Sequence, residues 1–315
     1  MSDLIDADDL AMLAAGFTSV MQASPSAGEA DDALYELGWG ELLQADPRQG
    51  AATAFAALGI TNAAAGILDD VLAVALGAEP SLDLAVVVPA PHVRIAPADG
   101  TLVAGLVTPR IDRATTALVA GIDGTVRRVD AAGLRSALPD ALDPGQAYRP
   151  LRTEIAGESI DTTGGWDDAV GAGRHALAHQ LVASARWMLD EAREHALGRE
   201  QFGRSVASFQ AVRHKLAETI VDIEGAASVA SAATGQVDPL LDALAKSLAG
   251  KAAHTAAKHA QQILAGIGFT DEHRFHLWLK RALVIDTVFG SASSLPGEIG
   301  RDLLDAGTAP KLIDL

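Results

Sequence analysis

The sequence predicts a mainly α protein with a small inserted β domain. Residues up to about 80 and from Trp166 onward carry apolar side chains at helical spacing. Between about 82 and 160 the pattern changes to β-branched and alternating runs, and Asp-Gly dipeptides interrupt two of them. The chain therefore divides into an N-terminal helical domain, 1–80, a reduced middle β domain, 81–165, and a C-terminal helical bundle, 166–315.

From Asp8 the first region opens amphipathically, continues through DDALYELGWGELLQ (Asp31 to Gln44), and ends in an Ala-rich helix or helix pair near Leu76. In the second, Leu84 to Val88 is a β-branched run, Val93 to Val107 alternates around Asp99-Gly100, and Ala117 to Val129 alternates around Asp123-Gly124. A small antiparallel meander is expected there, with an irregular exit through Pro139, Pro144 and Pro150. The third region predicts an antiparallel bundle of four helices over Asp167–Leu197, Phe209–Gly235, Pro239–Ala265 and Glu272–Phe289. In its first helix the apolar stripe runs through Val170, Leu177, Leu181, Ala185, Met188 and Ala192.

Composition narrows the function classes. A formal net charge of -17 over 315 residues repels a phosphate backbone, so no nucleic-acid partner is expected, and any anionic ligand needs a local cluster of cations. The absence of cysteine excludes disulfides, thiolate metal sites and cysteine nucleophiles. MSDLIDADDL lacks the basic and apolar segments of a secretory signal, which predicts a cytoplasmic protein. The apolar run Ala51 to Leu68 is mostly Ala, Gly and Thr and meets Asp69 and Asp70, so it reads as buried helix and not as a membrane span.

Two stretches carry chemistry. In LGREQFGRSVASFQAVRHKLAE, Leu197 to Glu218, helical periodicity breaks at Arg199-Glu200-Gln201-Phe202-Gly203 and resumes with Phe209, Val212 and Leu216. An Arg and a Phe beside a Gly suit a phosphate and a flat ring, or simply form a helix junction. In QQILAGIGFTDEHRFHLWLKRA, Gln261 to Ala282, small residues at Ala265-Gly266-Ile267-Gly268 permit close backbone approach, and the Gln262 amide can bond a polar edge. His175 and His179 stand at i, i+4, a metal-compatible spacing, but lack an intervening carboxylate and a third ligand, so no metal is expected.

Together these stretches resemble the acyl-CoA dehydrogenase family. RxQFG followed by FQAVRHKLAE, then QxLAGxGF and HLWLKRA, is similar to that family's C-terminal bundle, and ALYELGWGELL resembles its N-terminal helical domain. The resemblance implies an FAD cofactor at a subunit interface. It places Arg199 on the FAD pyrophosphate, Phe202 near the dinucleotide, Gln210 at the adenosine half, and Gln262 to Gly266 at the adenine end, all serving the neighbouring subunit's flavin.

The departures are as informative as the matches. The family's chemistry removes a proton α to a thioester carbonyl, which needs a positioned carboxylate. Its Glu lies after the last bundle helix in a YEGTxQ-like segment, or in some members at the start of the first bundle helix beside an Arg. Here those positions hold Gly290, in Phe289-Gly290-Ser291-Ala292-Ser293-Ser294, and Gly173, before Arg174, the residue that the resemblance would place at a substrate pocket. A TEPxxGSD-like stretch is also missing from the β region. The retained elements belong to the half-site given to a neighbour, and the missing ones to the chain's own reactive pocket.

This split implies the base-lacking subunit of a heteromeric (α2β2) FAD-dependent acyl-CoA dehydrogenase, active beside a catalytic partner on an acyl-CoA. The short two-subunit members that the chain resembles are associated with bulky, steroid-derived CoA thioesters. Alternatives are a flavin-free structural or acyl-CoA-binding homologue, and a homomeric enzyme using Asp286 or Glu298 as base.

Overall fold

A computed structural model describes residues 7–89, 101–120, 124–135, 148–155, 158–160 and 162–307. Helices α1 (Ala7–Ala23), α2 (Ala27–Glu36), α3 (Trp39–Ala45), α4 (Pro47–Thr61) and α5 (Ile67–Ala75) form the N-terminal part. Their boundaries follow local chemistry. Ser26 caps α2 by accepting from the Glu29 N–H, Asp46 caps α4 by accepting from the Gln49 N–H, and Pro47 occupies the first turn, where its missing donor costs nothing. The apolar run 51–68 is broken by Asn62, left-handed at φ 55°, and is shared between α4 and α5; no described helix is long and apolar enough to cross a membrane.

Strands β1 (Leu84–Pro89), β2 (Thr101–Val107), β3 (Thr116–Ala120), β4 (Val126–Asp130), β5 (Arg149–Ile155) and β6 (Glu158–Ile160) form one sheet in the order β5-β2-β1-β3-β4-β6. The expected antiparallel meander needs correction. β1 and β3 run parallel, with Leu84 opposite Thr116 and Val87 opposite Val119, so the sheet is mixed. Alternation along a strand reports which face is buried and carries no strand direction. The hairpin expected at Asp123-Gly124 joins β3 and β4, whereas Asp99-Gly100, Asp123, Pro139 and Pro144 lie outside the described residues. Pro150 sits within β5 and not in an irregular exit; β5 is an edge strand, where a missing ladder donor is tolerated.

Val86, Val88 and Leu118 face the main helical core, while Ala85, Val87 and Val119 face a second core closed by helix α6 (Ala131–Arg135) and the turn Pro109–Asp112. One buried ionic cluster ties the sheet to the first helices. Arg110 pairs with Asp31 and Asp70, Tyr35 and Trp39 donate to Asp70 at 2.7 and 2.8 Å, and Asp69 accepts from the Val86 N–H at 2.9 Å and from Thr108. Burial pushes the Asp69 carboxyl up to about 7 despite those partners.

The bundle consists of α7 (Trp166–Gly198), α8 (Gln210–Thr234), α9 (Pro239–Leu264) and α10 (Phe275–Thr287), followed by α11 (Leu295–Ala306), which the sequence analysis did not foresee. The 33-residue α7 is the central element, packed by α4, α5, α8, α9 and α10. It packs against α9, and both helices bury small side chains, among them Ala178, Ala185, Ala249 and Ala253, which suit close helix approach. Trp187 and Trp278 stack at 3.5 Å, and the Trp278 indole donates to the Gly59 carbonyl at 2.8 Å, joining α10 to α4.

Candidate functional site

The break at Arg199 is a minimal hairpin. Strands β7 (Glu200–Gln201) and β8 (Arg204–Ser205) pair antiparallel, and Phe202 and Gly203 form the turn at φ 54° and 75°. Two successive positive φ values suit the twist of a tight hairpin but burden a bulky aromatic residue. The Ser205 hydroxyl donates to the Ala196 carbonyl at 2.9 Å and accepts from the Ala207 N–H at 3.2 Å, binding the hairpin to the end of α7. Phe202 is 92% exposed, and the Arg204 guanidinium lies 4.1 Å from the Phe209 ring centre.

Across from this hairpin, α9 ends in the turn Ala265–Phe269. Ala265 is held at φ 52°, ψ −131°, a conformation comfortable only for glycine. A side chain on Gly266 would meet no atom within 4 Å, so the backbone there borders open space. Between hairpin and turn lies a cleft of about 530 Å³, within the size range of small-molecule sites. Arg199, Gln262 and Gly266 line it together, with Val212 and Ile263 as an apolar floor. Phe202 stands at the hairpin tip outside the lining, and Gln210 begins α8 on the surface, its amide 3.4 Å from His214 Nε2; these two expected ligands do not line the cleft within one chain.

Sequence reasoning missed His195, Gln201 and Lys215, which share the cleft. The signal for His195 was present, since it lies four residues before Arg199 in the last turn of α7, where its carbonyl accepts from the Arg199 N–H. Burial, Arg199 and His273 push the His195 ring down from its usual range.

The two glycines at which the resemblance would expect a base stand in packed surroundings. The Phe289 ring lies where a side chain on Gly173 would project, and packs against Trp166 at 6.3 Å. A Cβ on Gly290 would stand 2.6 Å from Leu295, and Gly290 has φ 100°. Both positions are thus filled by apolar groups and admit no carboxylate side chain as the chain is folded.

The intervening segment is fastened by cations. Arg174 donates to the Phe289 carbonyl at 2.9 Å and to Glu298 at 2.6 Å, and the buried Lys246 donates to the carbonyls of Asp286 and Gly290 at 3.0 and 3.2 Å. Arg174, which the resemblance would place at a substrate pocket, thus holds this segment in the folded chain. Burial lowers Lys246 to about 8.

Neither replacement base is placed for the task. Asp286 accepts from the Ala292 N–H and from His254, both at 3.0 Å; burial opposes its ionisation, yet His254 and Lys246 hold its carboxyl below the usual range. Glu298 is half-exposed and bound to Arg174. His175 and His179 are structural. His175 donates through Nε2 to the Arg48 carbonyl at 3.0 Å, His179 Nε2 lies 3.1 Å from the Thr234 hydroxyl, and no metal-binding group of three ligands occurs among the described residues.

Comparison with known proteins bears on the bundle and on the fold. Residues 165–304 match the family described as "Acyl-CoA dehydrogenase, C-terminal domain". FadE34 of Mycobacterium tuberculosis, an acyl-CoA dehydrogenase, is 40% identical over 123 residues, covering 37% of this chain and 17% of FadE34. IpdE2 of the same organism is 38% identical over 129 residues, 40% of this chain and 39% of IpdE2. The matched stretch thus spans well under two thirds of either relative. Among solved structures, a variant of the Tcur3481-Tcur3483 steroid ACAD superposes with a TM-score of 0.77 at 22% identity, over 95% of this chain and 98% of the other. The ChsE4-ChsE5 complex from M. tuberculosis superposes with a TM-score of 0.71 at 22% identity, over 98% of this chain and 100% of the other. Glutaryl-CoA dehydrogenase from Mycobacterium smegmatis in complex with FADH2 gives 0.73 at 15% identity, over 98% of each chain. Residues 165–304 thus match the acyl-CoA dehydrogenase C-terminal domain model, and the whole chain has the acyl-CoA dehydrogenase fold.

Proposed function

We propose that this chain is the base-lacking subunit of a heteromeric, FAD-dependent acyl-CoA dehydrogenase of the cytoplasm, and that it lends a cross-interface FAD half-site to a catalytic partner in an α2β2 assembly. The observation that carries the reading is the contrast between the two sites. The cleft at Arg199 is open and cationic, while Gly173 and Gly290 are sealed by Phe289 and Leu295.

The cleft fits one end of a dinucleotide: a guanidinium for phosphate, an amide for a polar ring edge, strained backbone at Ala265 bordering open space, and an apolar floor. Bound FAD supplies the hydride acceptor, and the partner's carboxylate supplies the base. This chain's residues would bind and orient it: Arg199 would meet the pyrophosphate, Gln262 and Gly266 the adenine end, and Phe202 and Gln210, which lie outside the cleft lining, would contribute across the boundary. The exposed Phe202, Val221 and Phe269, on the hairpin, α8 and the turn after α9, are apolar surface suited to burial between subunits. The domain division at residues 80 and 165 gives the bundle that interface role. A bulky, steroid-derived CoA thioester as substrate is supported by the fold shared with a steroid ACAD.

The test is turnover across a range of CoA thioesters, with added FAD, by the pure chain and by the chain co-purified with a glutamate-bearing acyl-CoA dehydrogenase subunit. The lone chain is expected to be inactive and the complex to be yellow and active. Robust turnover by the lone chain would overturn the reading, and a colourless complex whose activity is independent of this chain would identify a flavin-free scaffold.

A further inference from the structure

The cleft holds more positive charge than the motif that announced it. Arg199 enters from the end of α7, Lys215 from α8, and His195 from the preceding turn of α7, all onto one wall system of about 530 Å³. This convergence stands out on a chain of formal net charge -17. The apolar floor at Val206, Val212 and Ile263 rules against a bare inorganic ion as the ligand the cleft is shaped for, and Gln262 offers both donors and an acceptor beside it.

The geometry points to His195 and Lys215 as further anion-binding residues that complete, with Arg199, a site for the diphosphate of an adenine dinucleotide, and to His195 as the group that makes its affinity depend on pH. This inference rests on the reading of the cleft as an FAD half-site and goes beyond it by assigning two residues and a proton.

The charge balance around His195 gives the sign. Arg199 caps the helix that carries it, and His273, from the segment before α10, acts on it while standing 3.5 Å from Glu191 of α7. Lys215 lines the same cleft from α8. In the free chain partial burial, Arg199 and His273 disfavour the imidazolium and hold the ring below its usual range. A diphosphate placed in the cleft reverses the local field and favours the proton. Binding and protonation are then linked, and affinity rises as pH falls, by up to about tenfold per pH unit for one coupled proton.

ADP-ribose is the probe, because its pyrophosphate diester keeps the same charge from about pH 5.5 to 8 and the measured pH dependence belongs to the protein. Its dissociation constant is measured for the full chain across that range by calorimetry, with the His195 ring followed by NMR. The expected result is tighter binding at low pH, by about threefold to tenfold per pH unit where His195 titrates, and a ring pKa that rises on saturation. His195→Gln should abolish the pH dependence while retaining binding near the neutral-pH value, Lys215→Ala should weaken binding severalfold at every pH, and Arg199→Ala should weaken it tenfold or more. Binding that requires Arg199 yet has the same pH profile in wild type and His195→Gln would overturn the inference and leave the half-site reading intact. Failure of ADP-ribose to perturb any cleft residue at millimolar concentration would overturn both.

Discussion

Gly173 and Gly290 show how much a single missing side chain conveys, and how little it says about what fills the space. Their identity was legible, because a motif position occupied by glycine is visible in any sequence. The Phe289 ring beside Gly173 and the Leu295 methyls behind Gly290 were not, because packing partners follow from the path of the chain after α10. Restoring the carboxylate should therefore fail. Gly290→Glu forces a left-handed residue and displaces Leu295, at a cost of about 2 to 5 kcal/mol in strain and overpacking together. Thermal melting of the variant should drop by several degrees, and turnover by the lone chain would contradict this account of the sealed pocket. The histidines make a separate prediction. Burial holds His175 at about 3 and His179 at about 4, so both are neutral when folded and charge only in the unfolded chain as pH falls below about 6.5. Their contribution is present above that pH and is lost on acidification, at up to about 1.4 kcal/mol per pH unit per residue. Denaturant melts between about pH 7 and 5 should show the loss, and His179→Asn should make the decline shallower.

At the level of elements, long amphipathic helices were read correctly to within a few residues, because 3.6-residue periodicity sums over many turns. Short elements escaped. The β7–β8 hairpin has two residues per strand, too few for any period, and its turn carries Phe202 where glycine or asparagine is the usual occupant. Phe202 is 92% exposed and meets Phe209 edge-on at 6.2 Å, so its own chain offers it little packing against the strain, which fits a role between subunits. Phe202→Gly should relieve about 1 kcal/mol of strain and leave the isolated chain equally or more heat-stable. The same substitution should weaken subunit association in sedimentation, and a destabilised isolated chain with unchanged association would show that Phe202 serves its own fold. Helix α11 has no counterpart in the sequence analysis although Leu295, Ile299 and Leu303 repeat at i, i+4 and i+8; Pro296 and the glycines at 290, 297, 300 and 307 weaken its helical pattern. Leu295→Ala should cost about 2 to 5 kcal/mol, since that side chain is fully buried and anchors both the helix and the Gly290 turn. A loss below about 0.5 kcal/mol in urea denaturation would mean that α11 packs only loosely.

Over the whole molecule, the order helices, mixed sheet, bundle was visible as shifts in periodicity, whereas the parallel pairing of β1 with β3 and the buried cluster of Arg110 with Asp31, Asp69 and Asp70 were not. Asp69 and Asp70 had argued only against a membrane span, and their burial depends on an arginine 40 residues away. The candidate site divides the same way. Arg199, Gln262 and Gly266 were readable from their motifs, while His195 and Lys215 acquire meaning only when α7, α8 and the end of α9 meet. That meeting places cations in one open cleft of an acidic chain and leaves sealed glycines where a base would stand, an arrangement suited to donation and not to self-sufficient catalysis. The most direct measurement is the FAD dissociation constant, with flavin content, of the complex formed with a glutamate-bearing partner, compared between wild type and Arg199→Ala at equal thermal stability. Loss of charge-assisted bonds worth about 1.5 to 3 kcal/mol predicts FAD binding weakened about tenfold to hundredfold, with Arg199→Lys recovering only part. A complex in which Arg199→Ala holds FAD as tightly as wild type would contradict the claim that this chain supplies half of its neighbour's flavin site.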